Sequence, residues 1–133
     1  MVSWNNLDTL SSYQELTKTK AVNLKAVMTG DNGAKRAKEY CVPMAEGLSF
    51  NYAAKSVDDD ILKALAELAD EAQLTDKFAE LYNGAVINTG EKRLVLHQLT
   101  RGQLGNDVIA EGVNKREFYV AQQEKIAEFA NKV

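Results

Sequence analysis

The sequence predicts an α+β fold, mostly helical, with one small antiparallel β-hairpin. Three observations carry this expectation. Val57, Ile61, Leu65, Leu68 and Ala72 recur at helical spacing behind a run of acidic residues. Leu48, Phe50 and Tyr52 alternate directly after Ala45-Glu46-Gly47, a loop with the glycine a hairpin favours. The chain of 133 residues is 45% apolar and 26% charged, ordinary values for a globular protein able to bury a modest core, and its length suits a single domain.

Each element follows from local pattern. Leu7, Leu10 and Tyr13 or Leu16 come at helical intervals after Asn5-Asn6, which can cap, so a first helix is expected over about 6–17. A polar break at 17–20 leads to Asn23, a cap for a short helix through Met28 that ends at Gly30. Asp31-Asn32-Gly33 reads as a turn, and residues 34–39 as a further helical turn. Residues 40–44 and 48–52 are the two strands, with Leu48, Phe50 and Tyr52 on a buried face and Pro43 marking an edge. Such a hairpin is marginal by itself and needs helices or a neighbour outside the chain to cover it. Ser56 is the expected cap of a helix to about Gln73, with Asp58, Asp59 and Asp60 at the positive end of its dipole and Leu62 and Ala69 widening its stripe. Thr75 is the expected cap of the next helix, with Phe78, Leu81 and Tyr82 facing inward. Asn88 and Glu91 have capping-box spacing ahead of Leu94, Val95, Leu96 and Leu99, which predicts another helix with Arg93, His97 and Arg101 on one face. Gly102, Gly105 and Asn106-Asp107 break the chain, and Val108-Ile109-Ala110 reads as a brief extended piece. A last helix starts near Val113 with Tyr119, Gln122, Ile126, Phe129 or Ala130, and Val133 as its stripe. That stripe is still running at Val133, as a boundary inside a longer protein would leave it.

Several function classes are disfavoured. A net charge of -3 argues against nucleic-acid binding. No apolar run is long enough to span a membrane, and Met1 to Asn5 lacks the regions of a signal peptide. The lone Cys41 has no internal disulfide partner, which fits a reducing, cytoplasmic setting.

No self-contained catalytic constellation is visible. His97 as a base needs a partner and a cleft; as a half-buried helix residue it needs one hydrogen bond, and the structural role is favoured. Cys41 reads as a small buried hydrophobe, with a Cys41–His97 dyad as the unfavoured alternative. One histidine and one cysteine do not furnish a metal shell, and Asp58, Asp59 and Asp60 are accounted for by capping without EF-hand spacing. The stretch Gly84 to Gly90 is no phosphate loop, since neither G-x-x-x-x-G-K-S/T nor G-x-G-x-x-G occurs. Arg93 and Arg101 are candidate phosphate ligands, with pairing to carboxylates elsewhere in the full protein as the favoured reading.

The stretch from Tyr82 to Arg101 also resembles a known family. Glucose-6-phosphate isomerases carry F-x-G-x-x-I-N-x-T-E-x-R-A-V-L-H-x-A-L-R. Gly84, Ile87, Asn88, Glu91, Arg93, Val95, Leu96, His97 and Arg101 match it in register, Tyr82 stands for the Phe, and Gly90, Leu94 and Leu99-Thr100 depart from it. Upstream, Leu48-Ser49-Phe50-Asn51-Tyr52-Ala53-Ala54-Lys55 resembles the family's L-L-x-D-Y-S-K-N strand; downstream the likeness continues through Gly112-Val113-Asn114. The resemblance implies the N-terminal segment of an α/β sugar-isomerase-domain enzyme, residues 1–133 forming one segment that lacks the sugar-phosphate-binding domains. It implies reversible conversion of glucose 6-phosphate to fructose 6-phosphate in glycolysis and gluconeogenesis, through a cis-enediol and without metal or redox cofactor. The implied partners are the remainder of the same enzyme, a sugar phosphate and a second subunit, with no nucleic acid and no membrane. The family's Gly-Ile-Gly-Gly-Ser loop, ring-opening histidine and lysine, and proton-shuttling glutamate all lie downstream, so no catalytic, substrate-binding or metal residue is expected within 1–133. The alternatives are a stand-alone, non-catalytic interaction domain derived from that segment and, less favoured, a small enzyme using Cys41 and His97.

Overall fold

A computed structural model describes residues 2–102 and 105–132. The backbone divides into two compact units. One is Trp4–Ala72; the other holds the described residues from Gln73 onward with Ser3, whose amide donates to Gln73 Oε1 (2.8 Å).

In the first unit the expected opening helix is split. A 3₁₀ turn (Leu7–Thr9) precedes α1 (Ser11–Leu16), because Leu10 is extended at the junction. Asn6 gives no side-chain cap. The amides that open α1 are satisfied from a distance: the Glu71 carboxylate accepts from the backbone N–H and hydroxyl of Ser11 (3.2 and 3.0 Å) and from the N–H of Ser12 (2.7 Å) and its hydroxyl. This clasp fastens α1 to α4 (Asp59–Glu71), against which it packs. The serine hydrogen bonds, that of the Ser12 hydroxyl foremost, hold the Glu71 carboxyl down at about 2.

α2 (Leu24–Val27) is capped by Asn23 as expected, its Oδ1 accepting from Ala26 N–H (3.2 Å). Asp31-Asn32-Gly33 is not a turn. It lies inside α3 (Gly30–Glu39), and the break comes at Gly30, whose φ of +63° opens that helix. Gly33 serves close packing instead: a Cβ there would lie 2.3 Å from the Met28 carbonyl oxygen.

β1 (Cys41–Pro43) and β2 (Ser49–Asn51) pair antiparallel with Val42 opposite Phe50. Burial of the alternating face is not met within the chain: Leu48 and Phe50 are exposed and Tyr52 is half-buried, because nothing in the unit covers that face. Arg36 dominates the loop that follows. It is buried, donating from Nε to the Ala53 carbonyl (2.8 Å) and from one terminal nitrogen to the carbonyls of Lys55 (3.2 Å) and Val57 (2.6 Å), over the Tyr40 ring. Those bonds keep residues 53–57 out of helix. The cap therefore falls at Asp58, whose Oδ1 accepts from Ile61 N–H (2.9 Å), and not at Ser56. Of the expected stripe, Ile61 in α4 and Ala72 at its C-cap are buried but Leu65 is 38% exposed, since the short α1 covers only part of it.

In the second unit α5 (Leu74–Tyr82) starts one residue before Thr75, from a left-handed Gln73 with no side-chain cap. Leu81 and Tyr82 are half-buried, whereas Phe78 is exposed. The core of this unit is Leu99, fully buried, and Val108. Gly84 (φ +75°) is required here, because a Cβ would stand 2.3 Å from Val108 Cγ1. A second small hairpin joins β3 (Ile109–Ala110) to β4 (Val113–Asn114) through Glu111 and Gly112, both at positive φ as a two-residue turn demands. Only its first strand was legible as an extended piece. Asn114 then caps α6 (Lys115–Ala130). On α6, Tyr119 and Gln122 are half-buried, but Ile126 and Phe129 are exposed; Val133, expected to end this stripe, lies outside the described residues.

Candidate functional site

The stretch with the most chemistry, residues 88–101, is not a helix. Asn88 and Arg93 exchange backbone hydrogen bonds (3.3 and 3.1 Å) and close a tight antiparallel turn. Asn88 and Glu91 do interact, but only half as a capping box would: Asn88 Oδ1 accepts from Glu91 N–H (3.1 Å), while Glu91 Oε2 accepts from Asn88 Nδ2 (3.3 Å) and not from the Asn88 backbone N–H, which donates to the Arg93 carbonyl. The turn they brace then places Lys92 at φ +53°, where an α-helix cannot continue. The chain leaves without regular structure and resumes as one 3₁₀ turn, His97–Thr100. Arg93, His97 and Arg101 are therefore not stacked on one helical face, and all three are exposed. Arg93 meets Glu91 at 3.7 Å, an exposed pair within the turn itself. Gln98 Nε2 ties the 3₁₀ turn to the Leu81 carbonyl (2.9 Å), and Gln123 Nε2 of α6 donates to the Thr100 carbonyl (2.8 Å). The turn is thus braced from both sides while His97 faces solvent.

Beside this turn lies a groove of about 480 Å³, lined by Gly84, Val86, Lys92, Arg93, Leu94, Ile109, Ala110, Glu111 and Lys115. It is cationic on balance. The one carboxylate among these residues, Glu111, is exposed and pairs with Lys115 Nζ at 3.3 Å.

The other residues singled out by sequence are placed elsewhere. Cys41 is half-buried in β1 and belongs to the Trp4–Ala72 unit, whereas His97 belongs to the other. Asp58 is a cap, and Asp59 accepts the Tyr40 hydroxyl (2.9 Å), a hydrogen bond that raises the Tyr40 phenol. Among the described residues no three His, Cys, Asp or Glu side chains gather as a metal site, and no helix is long and apolar enough to cross a membrane. Sequence reasoning missed Glu71, Arg36 and Arg116. Arg116 is buried and donates from Nε and one terminal nitrogen to the Asn106 carbonyl (3.1 and 2.9 Å). All three hold loops and helix ends together, and no local motif signals partners so far away in sequence.

A sequence model of the family described as "Phosphoglucose isomerase" matches residues 51–133. The chain belongs to the phosphoglucose isomerase family. Members similar to it include "Glucose-6-phosphate isomerase" of Treponema denticola, 51% identical over 99% of this chain and 26% of the relative. The proteins of the same name from Treponema pallidum and Borreliella afzelii are 43% and 40% identical, over 99% and 100% of this chain and 25% of each relative. The chain thus spans about a quarter of the length of the curated relatives it matches. As a member of this isomerase family it has the expected α+β, mostly helical build, with two small hairpins where one was expected.

Proposed function

We propose that this chain is the N-terminal segment of a cytoplasmic glucose-6-phosphate isomerase, and that residues 1–133 serve that enzyme as scaffold. The reaction interconverts glucose 6-phosphate and fructose 6-phosphate in glycolysis and gluconeogenesis. A base takes the proton from C2, a cis-enediol forms, and a proton returns to C1; the change is an internal redox shift that consumes no cofactor. The observation that carries the reading is the match itself: 51% identity along nearly the whole chain to an isomerase of which it covers 26%.

The proton transfers need a base within hydrogen-bond reach of the sugar, in a site that holds the phosphate and excludes water. In this reading the sugar-phosphate-binding domains outside the chain supply that site, and the whole enzyme works as a homodimer. His97, exposed on a 3₁₀ turn, and Cys41, in a hairpin, take no part in the chemistry. The test is a chimera in which this chain replaces the matching quarter of the Treponema denticola isomerase. It should be active, and His97→Ala in it should leave turnover within about tenfold, far short of the loss that follows removal of an acid–base group. An inactive but folded chimera, or a thousandfold loss on His97→Ala, would overturn the reading.

A further inference from the structure

The hairpin presents an apolar face that its own chain leaves open. Val42 and Phe50 are register partners on one face of the two-stranded sheet, and Leu48 shares the alternation of Phe50. Leu48 is 65% exposed, Met44 58%, Phe50 53% and Val42 48%. Phe50 stacks on Tyr52 (centroids 6.0 Å apart), and both line a groove of about 370 Å³ with Val42, Val57 and Leu62, where Lys55 is the one charged lining residue. The opposite side of β2 is already engaged, since Asn51 Nδ2 donates to the Ala37 carbonyl of α3 (2.6 Å). A contiguous apolar patch of this kind marks an interaction surface, and a two-stranded hairpin needs cover to persist.

We propose that this face is the docking surface for the remainder of the isomerase polypeptide, an inference that rests on the function proposed above. Two considerations commit it to that occupant. The relatives align along the whole of this chain yet extend over about four times its length, so each carries within one polypeptide further chain that can cover this face. A linked partner also acts at high effective concentration. A small, flat face with few polar anchors is then enough, whereas a free second copy would have to offset its lost translational and rotational freedom from the same few side chains.

Maleimide labelling of Leu48→Cys tests the surface, with modification at position 48 followed by mass spectrometry in a Cys41→Ser background. Two proteins are compared: the chain alone and the Treponema denticola chimera. In the chain alone the introduced thiol should react at the rate of an exposed thiol, independent of protein concentration. In the chimera it should react at least about tenfold more slowly, because modification then waits on local opening. Equal rates in the two proteins would overturn the proposal. Protection in the chain alone that grows with its concentration would also overturn it, by assigning the face to a second copy. Isomerase activity of the chimera reports separately on the function proposed, so the two failures are distinguishable.

Discussion

Replacing Arg36 by methionine should destabilise the Trp4–Ala72 unit more than any surface substitution. The residue is only 7% exposed and anchors the carbonyls of Ala53, Lys55 and Val57 in the loop that sets the start of α4. Methionine keeps most of the stem's volume, so the loss is one of hydrogen bonds and not of packing. The Ala53 carbonyl is buried and would lose its partner outright, which costs about 1–3 kcal/mol. The Lys55 and Val57 carbonyls are only partly buried and can rehydrate, so about 1 kcal/mol is assigned to each. Loss of the guanidinium over the Tyr40 ring, 3.9 Å from its centroid, adds about 0.5–1 kcal/mol. Relief of the buried charge opposes these terms, and the net expectation is about 3–5 kcal/mol. Urea denaturation followed by circular dichroism measures it directly. Arg36→Lys keeps the charge but not the fork, and should fall between wild type and Arg36→Met. A loss below about 0.5 kcal/mol for Arg36→Met, the range of ordinary surface sites, would refute the anchoring role of Arg36.

Other expectations follow from the same packing. Leu99→Ala, at the one fully buried large side chain among the described residues, should cost about 2–5 kcal/mol, whereas Leu65→Ala, at a position 38% exposed, should cost about 1 kcal/mol; equal losses in thermal melts would contradict the burial described. Glu71 has its carboxyl depressed from 4.5 to about 2 by the serine clasp. Its stabilising contribution is therefore complete above pH 4.5 and is lost as the pH falls toward 2. Glu71→Gln should flatten the stability–pH curve in that window, and a curve parallel to wild type would rule the clasp out.

Much of this fold was legible in the sequence, and the failures have physical causes. Asn23 and the hairpin 41–51 were read correctly because local signals, a capping side chain and period-two alternation, decided them. The pair Asn88 and Glu91 was identified as interacting, but the bond from Glu91 N–H to Asn88 Oδ1 serves a helix start and a reverse turn alike. What decided between them was the backbone pairing of Asn88 with Arg93 and the left-handed Lys92, neither of which side-chain spacing reveals. Ser56 lost the cap to Asp58 because Arg36, about twenty positions earlier, holds the intervening carbonyls. Glu71 escaped notice for the same reason, since its partners Ser11 and Ser12 are about sixty positions away. The alternation of Leu48 and Phe50 marked them for burial, yet these side chains are exposed within this chain. As for the candidate site, family membership was readable from spaced identities, whereas the cationic face of Arg93, His97 and Arg101 was an artefact of assuming a helix.

The most direct measurement is a coupled isomerase assay on the purified chain and on its Treponema denticola chimera, with Arg36→Met prepared alongside each to expose contaminating activity. The account predicts no turnover of glucose 6-phosphate by the chain alone at any concentration. It predicts turnover by the chimera that falls with folded fraction when Arg36 is replaced. Turnover by the pure chain that scaled with its concentration would contradict the scaffold role, and would place a base among residues 1–133 after all.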